Sequence, residues 1–432
     1  MQPKRILVTG ASGYIAGKLV PRLLKAGYLV RCMVRDADKI AHQPWVEKVE
    51  IAIADVTQPA SLSAALHQID AAYYLIHNMS SGHGYQQIEL NGAENFARAA
   101  EQAGTQHIIY LGGLADPKAK IAPHMRSRIE TGITLRNQAV PVTEFRAGVI
   151  VGPGSISFEM IRFLCEQFPI LVGPSWLKNR TQPISANNVI DYLIAALEND
   201  QGRGEVFEIG GHEAFTYAET MLLYGQSRGL RREMIILPTL PTAMMAYVVG
   251  KLTPVPATIA YPLIEGLNSN STVSDPRAIE VFPEVQLDDY QQALQQSLAE
   301  LHPDKLERIW IGRNQPGVSV LSEGFVIESG QVLVPQSAGE VYPKLVAWIE
   351  SQLTTHQQEE MLEDRRIFLK ATQHTGGPRW IEWELLSQPK GQTLVRQTGY
   401  FAPKGLGGFL SSLRWKSHQR AIFRQMRKVF GG

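Results

Sequence analysis

The first part of the chain alternates between short apolar runs and a stretch with helical spacing. KRILVTG reads as a strand, GYIAGKLVPRLLKAG carries Ile15, Leu19 and Leu23 four residues apart, and YLVRCMVR reads as a second strand. The four-residue spacing places these apolar side chains on one face of a helix, which Gly27 ends. Residues 4–35 are therefore predicted to form a βαβ unit.

The alternation continues through VEIAIAD, AAYYLIH, HIIYLGG and VTEFRAG, with helical stretches such as YQQIELNGAENFARAAEQAG between them. Strands separated by helices of this length predict an α/β fold with a parallel, doubly wound sheet. Functional groups in such a sheet lie at the carboxyl ends of the strands. Those ends are Gly10, Asp55, His77, Gly112 and Gly148.

The pattern changes after Leu301, and it predicts a second domain. The polar segment 302–322 is expected to be a linker between a nucleotide-binding domain over 1–301 and a smaller α+β domain over 323–432. Segments within about 150–300 are expected to form the substrate cleft of the first domain.

The predicted second domain begins with a strand and a helix in EGFVIESGQVLVPQSAGEVYPKLVAWIESQL, followed by a polar helix in TTHQQEEMLEDRR. IFLKATQH, RWIEWELLSQ and TLVRQTGYFAP alternate apolar and polar residues, which predicts an antiparallel meander. A last helix places Trp415, Ile422, Met426 and Val429 on one face. From residue 385 onward the chain has nine Lys or Arg and no Asp or Glu. Two hypotheses follow for this basic helix: it closes the second domain, or it lies on an anionic membrane surface.

The composition is that of a soluble globular protein, with 44% hydrophobic residues, 19% charged residues and a net charge of +1. This balance argues against a nucleic-acid binder driven by global charge. Cys32 and Cys165 lie in apolar runs and are expected to be reduced and buried. The N-terminal residues run directly into a strand, so a cytoplasmic location is expected. No metal site is predicted.

The most apolar stretch, from Ile235 to Leu267, is interrupted by five prolines and by Lys251. No unbroken run of about 20 apolar residues survives, which argues against a membrane-spanning helix. The stretch is predicted to form buried helices that line a substrate cleft, and an alternative is a segment that dips into a membrane interface.

The turn TGASGYIAG follows the first strand and begins the helix. Gly10 allows a tight turn, Gly13 lets backbone amides approach a pyrophosphate, and the small Ala16 allows close contact between helix and sheet. The positive end of the helix then faces the phosphates. We expect a dinucleotide to contact this turn at Gly10, Ser12, Gly13, Tyr14 and Ile15.

The second strand ends at Arg35 and Asp36, where the adenosine ribose is normally bound. A carboxylate there suits the free 2′-hydroxyl of NAD, whereas a guanidinium suits the 2′-phosphate of NADP. Arg35 comes first, so NADP is favoured and NAD stays open. The alternative is an exposed arginine in an ordinary turn.

These motifs resemble the short-chain dehydrogenase/reductase superfamily, in the extended or atypical branch that includes sugar-nucleotide epimerases, 3β-hydroxysteroid dehydrogenases and NmrA-like proteins. TGASGYIAG resembles the TGxxGxxG signature of that branch, and FRAGVIVGPGS and TQPISANNVIDYLIAAL resemble its later segments. The resemblance covers residues 4–300. It implies that Asp55 contacts adenine, and Val56 beside it is a further candidate for cofactor binding. His77, at the end of the fourth strand, is a candidate near the nicotinamide, and the alternative is a buried histidine that only satisfies backbone groups.

The catalytic positions of that superfamily are changed here. It uses a serine or threonine after the fifth strand and a tyrosine and lysine at YxxxK spacing, because hydride transfer to a carbonyl creates an alkoxide that needs a proton donor. This chain has Gly112 and Gly113 after the fifth strand, and His124 and Arg128 fall in the YxxxK register.

His124 and Arg128 share one helix face, and Met125, Ile129 and Ile133 are predicted to form the buried stripe beside them. His124 is a candidate proton donor. Arg128 is a candidate for holding a ribose or phosphate oxygen, in catalysis or in cofactor binding.

The second domain resembles a shortened START-like helix-grip domain, which encloses an apolar cavity and implies a small apolar ligand. The combination resembles a bacterial family described as NAD(P)-binding oxidoreductases or sugar-nucleotide epimerase-like proteins. The leading hypothesis is an NADP-dependent oxidoreductase that acts on an apolar carbonyl compound by a non-standard mechanism. The alternative is a non-catalytic dinucleotide-binding sensor or assembly factor, and epimerisation is a weaker one. The sequence predicts neither the substrate nor the oligomeric state.

Overall fold

The chain divides into two units, each with its own sheet and core. The first unit holds the described residues up to Cys165 and from Pro169 to Glu300, and the second holds Glu166–Phe168 and the described residues from Leu301 onward. The computed structural model describes residues 4–41, 43–77, 85–116, 121–252, 257–301, 319–322, 325–352, 356–372, 378–401 and 424.

The first unit alternates strands and helices along the chain. Its strands are β1 Arg5–Thr9, β2 Leu29–Val34, β3 Glu50–Ile53, β4 Ala71–Tyr74, β5 His107–Gly113, β6 Val142–Ala147, β7 Ile150–Val151, β8 Ile170–Gly173, β9 Arg180–Thr181, β10 Ile184–Ser185, β11 Val206–Ile209, β12 Phe215–Thr216 and β13 Glu233–Ile236. Its helices are α1 Tyr14–Lys25, α2 Pro59–Leu66, α3 Tyr85–Gln102, α4 Pro123–Arg136, α5 Ile156–Gln167, α6 Ala186–Ala195, α7 Tyr217–Ser227, α8 Thr242–Leu252, α9 Ala257–Gly266, α10 Arg277–Val281 and α11 Tyr290–Ala299.

Seven of these strands form one parallel sheet in the order β11-β6-β5-β4-β1-β2-β3. Helices cover both faces. On one face Leu19 and Leu23 of α1 share a core cluster with Val189 of α6, and on the other Phe96 of α3 shares a cluster with Leu135 of α4. The prediction of a doubly wound α/β fold is confirmed. Cys32 and Cys165 are both buried thiols, as expected.

The segment from Ile235 to Leu267 forms the end of β13 followed by α8 and α9. Ala246, Val249, Ala260 and Ile264 are buried, as expected. The prediction of buried helices is met only in part, because large apolar side chains of this segment are exposed to solvent: Ile235, Leu237, Met244, Tyr247 and Tyr261. Among the helices that the structure describes, none combines the length and apolar character needed to cross a membrane.

The second unit contains a six-stranded antiparallel sheet in the order β14-β15-β19-β18-β17-β16. Val341, Leu345 and Ile349 of its helix pack with Trp383 and Val395 of the sheet in one core cluster. The elements are β14 Ser319–Ser322, β15 Phe325–Val334, α12 Ala338–Gln352, β16 His356–Leu362, β17 Arg366–Ala371, β18 Trp380–Gln388 and β19 Gln392–Phe401.

The predicted polar helix in TTHQQEEMLEDRR is wrong. Its described part forms the edge strand β16 and a turn. Glu359 and Glu360 of this strand pair with Lys370 and Arg366 of β17 at 2.9 and 2.5 Å, so its charges belong to cross-strand ion pairs. The predicted linker lies mostly outside the described residues, and its last residues, 319–322, form β14. The predicted final helix lies outside the described residues apart from Arg424.

A buried ion cluster lies between β6 and α4. The carboxylate of Glu144, which is fully buried, pairs with the guanidinium groups of Arg136 and of Arg146, the latter at 2.6 Å. A Cβ atom added at Gly132 of α4 would meet this carboxylate. The cluster therefore requires a glycine at that point of the helix.

We predict that Gly132→Ala destabilises the protein by about 1–3 kcal/mol, because the added methyl group has to displace the Glu144 carboxylate or the helix. The matched control is Ile133→Ala on the exposed side of the same helix, which is expected to change stability by at most about 0.5 kcal/mol. Urea unfolding of the full-length variants measures both. Equal stability of the two variants would contradict this account of Gly132.

Candidate functional site

A cleft of about 200 Å³ opens at the carboxyl ends of β1, β2, β3 and β4. We call it the edge cleft. Seven of the predicted site residues line it, namely Gly10, Ser12, Gly13, Arg35, Asp55, Val56 and His77. The remaining lining residues are Met33, Val34, Lys39, Ala54, Thr57, Tyr74, Leu75, Ile76, Ile88 and Glu89.

The glycine turn forms one wall of the edge cleft. Gly10 has a φ of +62°, and a Cβ atom there would lie 2.8 Å from the carbonyl oxygen of Leu75. The backbone amide of Gly13 donates to the carbonyl oxygen of Gly10 at 2.7 Å, and α1 begins at the next residue. Among the described residues, no side chain caps α1 and its first turn contains no acid. The positive end of the helix therefore faces the cleft, and neither a side-chain cap nor an acid in its own first turn neutralises it.

The remaining residues of the turn contribute differently. The Ser12 side chain is exposed in the cleft, whereas Ala16 is buried against the sheet as predicted. Tyr14 and Ile15 are not among the lining residues. The Tyr14 side chain extends toward Gly152, and Ile15 packs against the core, so only their backbone amides are candidates for anion binding.

Two cations stand at the end of β2. Arg35 is exposed and lines the cleft together with Lys39. The Asp36 carboxylate does not line it, because its Oδ1 atom accepts from the backbone amide of Asp38 at 3.1 Å and caps the short helix Ala37–Lys39. Sequence reasoning missed Lys39. The four-residue spacing from Arg35 could have identified it only if this short helix had been predicted.

The loop after β3 is fixed by Asp55. Its Oδ1 atom accepts from the amide and the hydroxyl of Thr57 at 2.9 and 2.8 Å. Its own backbone amide donates to the hydroxyl oxygen of Ser61 at 3.0 Å. These bonds hold the next residue, the buried Val56, in the cleft wall. Asp55 therefore shapes this end of the cleft through its backbone as well as its charge.

His77 lies at the cleft end of β4, with its ring centroid 6.2 Å from that of Tyr110. The imidazole is open to the cleft on one side. The pKa of His77 is lowered to about 3, mainly because the inner side of its ring is desolvated and also because of the positive charge of Arg128. A hydrogen bond with the Leu111 backbone acts in the opposite direction. His77 is therefore neutral at pH 7. Arg128 is not itself among the cleft-lining residues, but it acts electrostatically on His77.

His124 lies inside the protein. Only 5% of it is exposed, and its imidazole packs so close to α9 that a Cβ atom at Gly266 would lie 2.8 Å from Cε1. Burial, followed by the charge of Arg128, lowers the pKa of His124 to about 4. At neutral pH the imidazole is therefore uncharged. Its catalytic role stays a prediction.

The predicted buried stripe of α4 is wrong. Ile133 is exposed, and Met125 and Ile129 are half-buried. Polar and small residues form the buried face instead, because this face meets α9 and the Glu144 carboxylate as well as the sheet. They are His124, Ser127, Thr131, Gly132 and Leu135.

The glycines at the end of β5 leave little room for a catalytic hydroxyl. A Cβ atom at Gly112 would lie 3.1 Å from Cε1 of Tyr110 and 3.4 Å from Oε1 of Glu144. A Cβ atom at Gly113 would lie 2.5 Å from Cε of Met125. A serine at either position would therefore require the neighbouring side chains to shift.

Glu89 is a second residue that sequence reasoning missed. It lines the edge cleft from α3, and its carboxylate accepts a hydrogen bond from the hydroxyl of Ser127 on α4. No spacing motif marks it, since only the packing of the two helices brings it to the cleft. Within the described ranges, no group of three or more His, Cys, Asp or Glu residues could hold a metal ion.

Comparison with known proteins supports the fold. Residues 2–160 match the model of the NmrA-like family. The chain is 23% identical over 240 residues to UDP-glucose 4-epimerase of Vibrio cholerae, which covers 50% of this chain and 73% of that protein. It is 22% identical over 250 residues to photosystem II assembly factor Ycf39 of Trieres chinensis, which covers 57% of this chain and 76% of that protein.

Among solved structures, the chain resembles the NADPH-dependent quinone oxidoreductase QOR2 of Escherichia coli, which was crystallised with NADPH. The TM-score is 0.55 at 17% identity, and the match covers 67% of this chain and 99% of that protein. At this level of identity the match shows a shared fold.

We predict that His124 makes the protein less stable in acid. Its pKa is about 4 when folded against an ordinary value of 6.5, so below pH 6.5 the unfolded chain takes up a proton that the folded protein does not. Stability therefore falls as the pH drops from 6.5 toward 4. Replacing His124→Asn should reduce this slope by up to about 1.4 kcal/mol per pH unit, measured by urea unfolding across the range.

The matched control is His67→Asn, which changes an exposed histidine and should leave the slope unaltered. An unchanged slope in the His124 variant would show that the imidazole is solvated in the folded protein.

Proposed function

We propose that the edge cleft binds NADP(H). The observation that carries this proposal is the convergence of an uncapped helix start, two cations and a closely packed glycine turn on one cleft. Backbone amides at the start of α1 suit the pyrophosphate, because they lie at the positive end of the helix dipole and no side chain caps this end. The Gly10 turn suits it because any larger residue would collide with Leu75.

The cation pair at the end of β2 supports NADP(H) over NAD(H). Arg35 and Lys39 face the cleft, while Asp36 is held as a helix cap. A 2′-phosphate carries close to two negative charges and offers acceptors to both cations. The Asp55 loop and Val56 suit the adenine ring at the neighbouring strand end.

We further propose that the chain is a reductase for quinone-like acceptors. Bound NADPH would supply a hydride, which together with one solvent proton reduces a quinone to a hydroquinone. Hydride addition to a simple ketone leaves a strongly basic alkoxide, so that reaction needs an acid such as the absent tyrosine. Hydride addition to a quinone leaves a phenolate, which is a much weaker base than an alkoxide. The pKa of the corresponding phenol is ordinarily about 10, so the phenolate can take its proton from water.

The residues beside the cleft fit this weaker requirement for an acid. His77 and His124 have pKa values of about 3 and 4 and are neutral at pH 7, so neither stores a proton for transfer. The guanidinium of Arg128 stays charged and can stabilise a developing phenolate or hold a ribose oxygen. The relative crystallised with NADPH is named a quinone oxidoreductase, which agrees with this substrate class.

A second candidate is a dinucleotide-binding protein without turnover. The absence of the usual serine, tyrosine and lysine favours it, and Tyr110 and Glu144 pack closely against Gly112. The similarity to a photosystem II assembly factor also agrees with it. Epimerisation has weaker support, although one relative is named an epimerase, because that chemistry also uses the absent tyrosine.

For the second unit we propose a START-like role in holding an apolar ligand. Its antiparallel sheet and the packing of α12 on that sheet support the proposal. Peripheral membrane contact through the final basic helix stays a prediction, since that helix lies outside the described residues.

We predict that Arg35→Ala and Lys39→Ala each weaken NADPH binding by about 10–100-fold, since each removes a charged hydrogen bond to the 2′-phosphate. NADH binding should change by less than about threefold because NADH lacks that phosphate. Fluorescence titration of the nicotinamide measures both constants. The matched control is Lys48→Ala, which removes a surface cation that does not line the cleft. Equal losses for NADPH and NADH would contradict the 2′-phosphate assignment.

We also predict that the protein oxidises NADPH with a short-chain quinone at least about tenfold faster than with a saturated ketone. Arg128→Ala should lower the quinone rate by about 10–100-fold, because the phenolate loses its cation. Arg126→Ala, which removes an exposed arginine of the same helix, is the control. Tight NADPH binding without oxidation by any quinone would favour the non-catalytic alternative.

A further inference from the structure

An apolar surface of the first unit lies apart from the edge cleft. Its side chains come from β8, β13, the loop after β13 and α8, and their exposed fractions lie between 42% and 61%. We call it the apolar face. It consists of Ile170, Val172, Ile235, Leu237, Met244 and Tyr247.

The strands β8 and β13 form a two-stranded parallel sheet, with one side exposed to solvent and the other side facing the protein. Val172 stands opposite Ile235, and Ile170 stands opposite Glu233. The side chains between them point the other way, and Leu171 is 4% exposed. Strand side chains alternate between faces, so a strand pair at a protein surface normally carries polar residues on its outer side. Here the outer side is apolar except for Glu233.

The apolar face continues from the strands onto α8. The backbone amide of Leu237 donates to the carbonyl oxygen of Gly173 at 2.8 Å, which extends the strand pairing by one residue. A Cβ atom at Gly173 would lie 3.5 Å from Cε of Met245, so the Met245 side chain of α8 reaches the buried side of the strand pair. Met244 and Tyr247 are three residues apart on the opposite, exposed side of α8.

Cations border the apolar face at one end. A surface hollow of about 720 Å³ begins at Ile170 and includes Arg231, Arg232 and Glu233 among its lining residues. Arg231 is exposed, and Arg232 donates to the carbonyl oxygens of Cys165 and Arg231. From Met234 to Ile264 the chain contains a single charged residue, Lys251. The apolar face therefore carries a net positive border.

We propose that the apolar face docks on an anionic lipid bilayer. The exposed Met, Tyr, Ile and Leu side chains would enter the boundary between headgroups and acyl chains, while Arg231 and Arg232 would contact lipid phosphates in the adjoining hollow. Exposed patches of this kind mark interaction sites. The positive border favours anionic lipids over neutral ones, because its cations would lie against a dense array of negative charges. A second copy of the chain is a less suitable partner, because it would bring the same cations to the interface.

The experiment is co-sedimentation of the full-length protein with vesicles of phosphatidylcholine alone or mixed with phosphatidylglycerol. Wild-type protein is expected to bind the anionic vesicles, more weakly at high salt, and to bind neutral vesicles at least about tenfold more weakly. The double variant Met244→Ser/Tyr247→Ser should lower the partition coefficient by about tenfold or more, since two side chains no longer insert. Arg231→Glu should lower binding to anionic vesicles alone.

The matched controls are Ile279→Ser, which changes an equally exposed isoleucine on α10, and Arg98→Glu, which reverses an exposed arginine on α3. Both should bind vesicles like wild type. Thermal unfolding of every variant, without NADPH, shows that the fold is intact and keeps this test separate from cofactor binding.

Three outcomes would overturn the proposal. The first is wild-type protein that does not sediment with anionic vesicles. The second is a double variant that binds like wild type, which would assign membrane contact to another part of the chain. The third is light scattering that shows a dimer of the wild type and a monomer of the double variant without lipid, which would make the apolar face a protein interface.

Discussion

The turn from β1 into α1 is the constraint on which the candidate site depends. Gly10 adopts a left-handed backbone and approaches the carbonyl oxygen of Leu75 so closely that no Cβ atom fits. This close approach brings the start of α1 to the edge of the sheet, where its amides face outward. Because the strands are parallel, the ends of β2, β3 and β4 reach the same edge and bring Arg35, Asp55 and His77 to one cleft.

A second constraint connects the core to the chemistry that the site can support. The buried Glu144 carboxylate sits between β6 and α4 and limits what can occupy Gly112 and Gly132. A buried carboxylate needs partners, so Arg136 and Arg146 are required as well. Glu144 and Tyr110 also lie close to Gly112, the position where the short-chain dehydrogenase pattern carries a hydroxyl, so a side chain there would require them to shift. The proposed quinone-like acceptor, which needs little acid catalysis, is consistent with a site that lacks this hydroxyl.

The local pattern of apolar and polar residues predicted most of the strands and helices of the first unit. The strands, the glycine turn and the residues at strand ends are determined by short-range spacing, so Gly10, Arg35, Asp55 and His77 could be identified from sequence. Lys39 and Glu89 could not, because a short helix and the packing of α3 on α4 bring them to the cleft.

Tertiary contacts explain the other differences between the predicted and the observed structure. α4 buries His124 instead of Ile133 because its inner face meets α9 as well as the sheet. The segment 356–362 has few apolar residues and resembles a helix in isolation, but pairing with β17 makes it an edge strand. The exposure of Met244 and Tyr247 depends on how α8 packs, which composition alone does not determine.

Hydrogen–deuterium exchange of the full-length chain, with and without saturating NADPH, tests the central claim most directly. Slower exchange is expected in residues 10–15, 33–39 and 54–57, which hold the glycine turn, the cation pair and the Asp55 loop proposed to contact the cofactor. Unchanged exchange in these three segments, or protection confined to other parts of the chain, would contradict it.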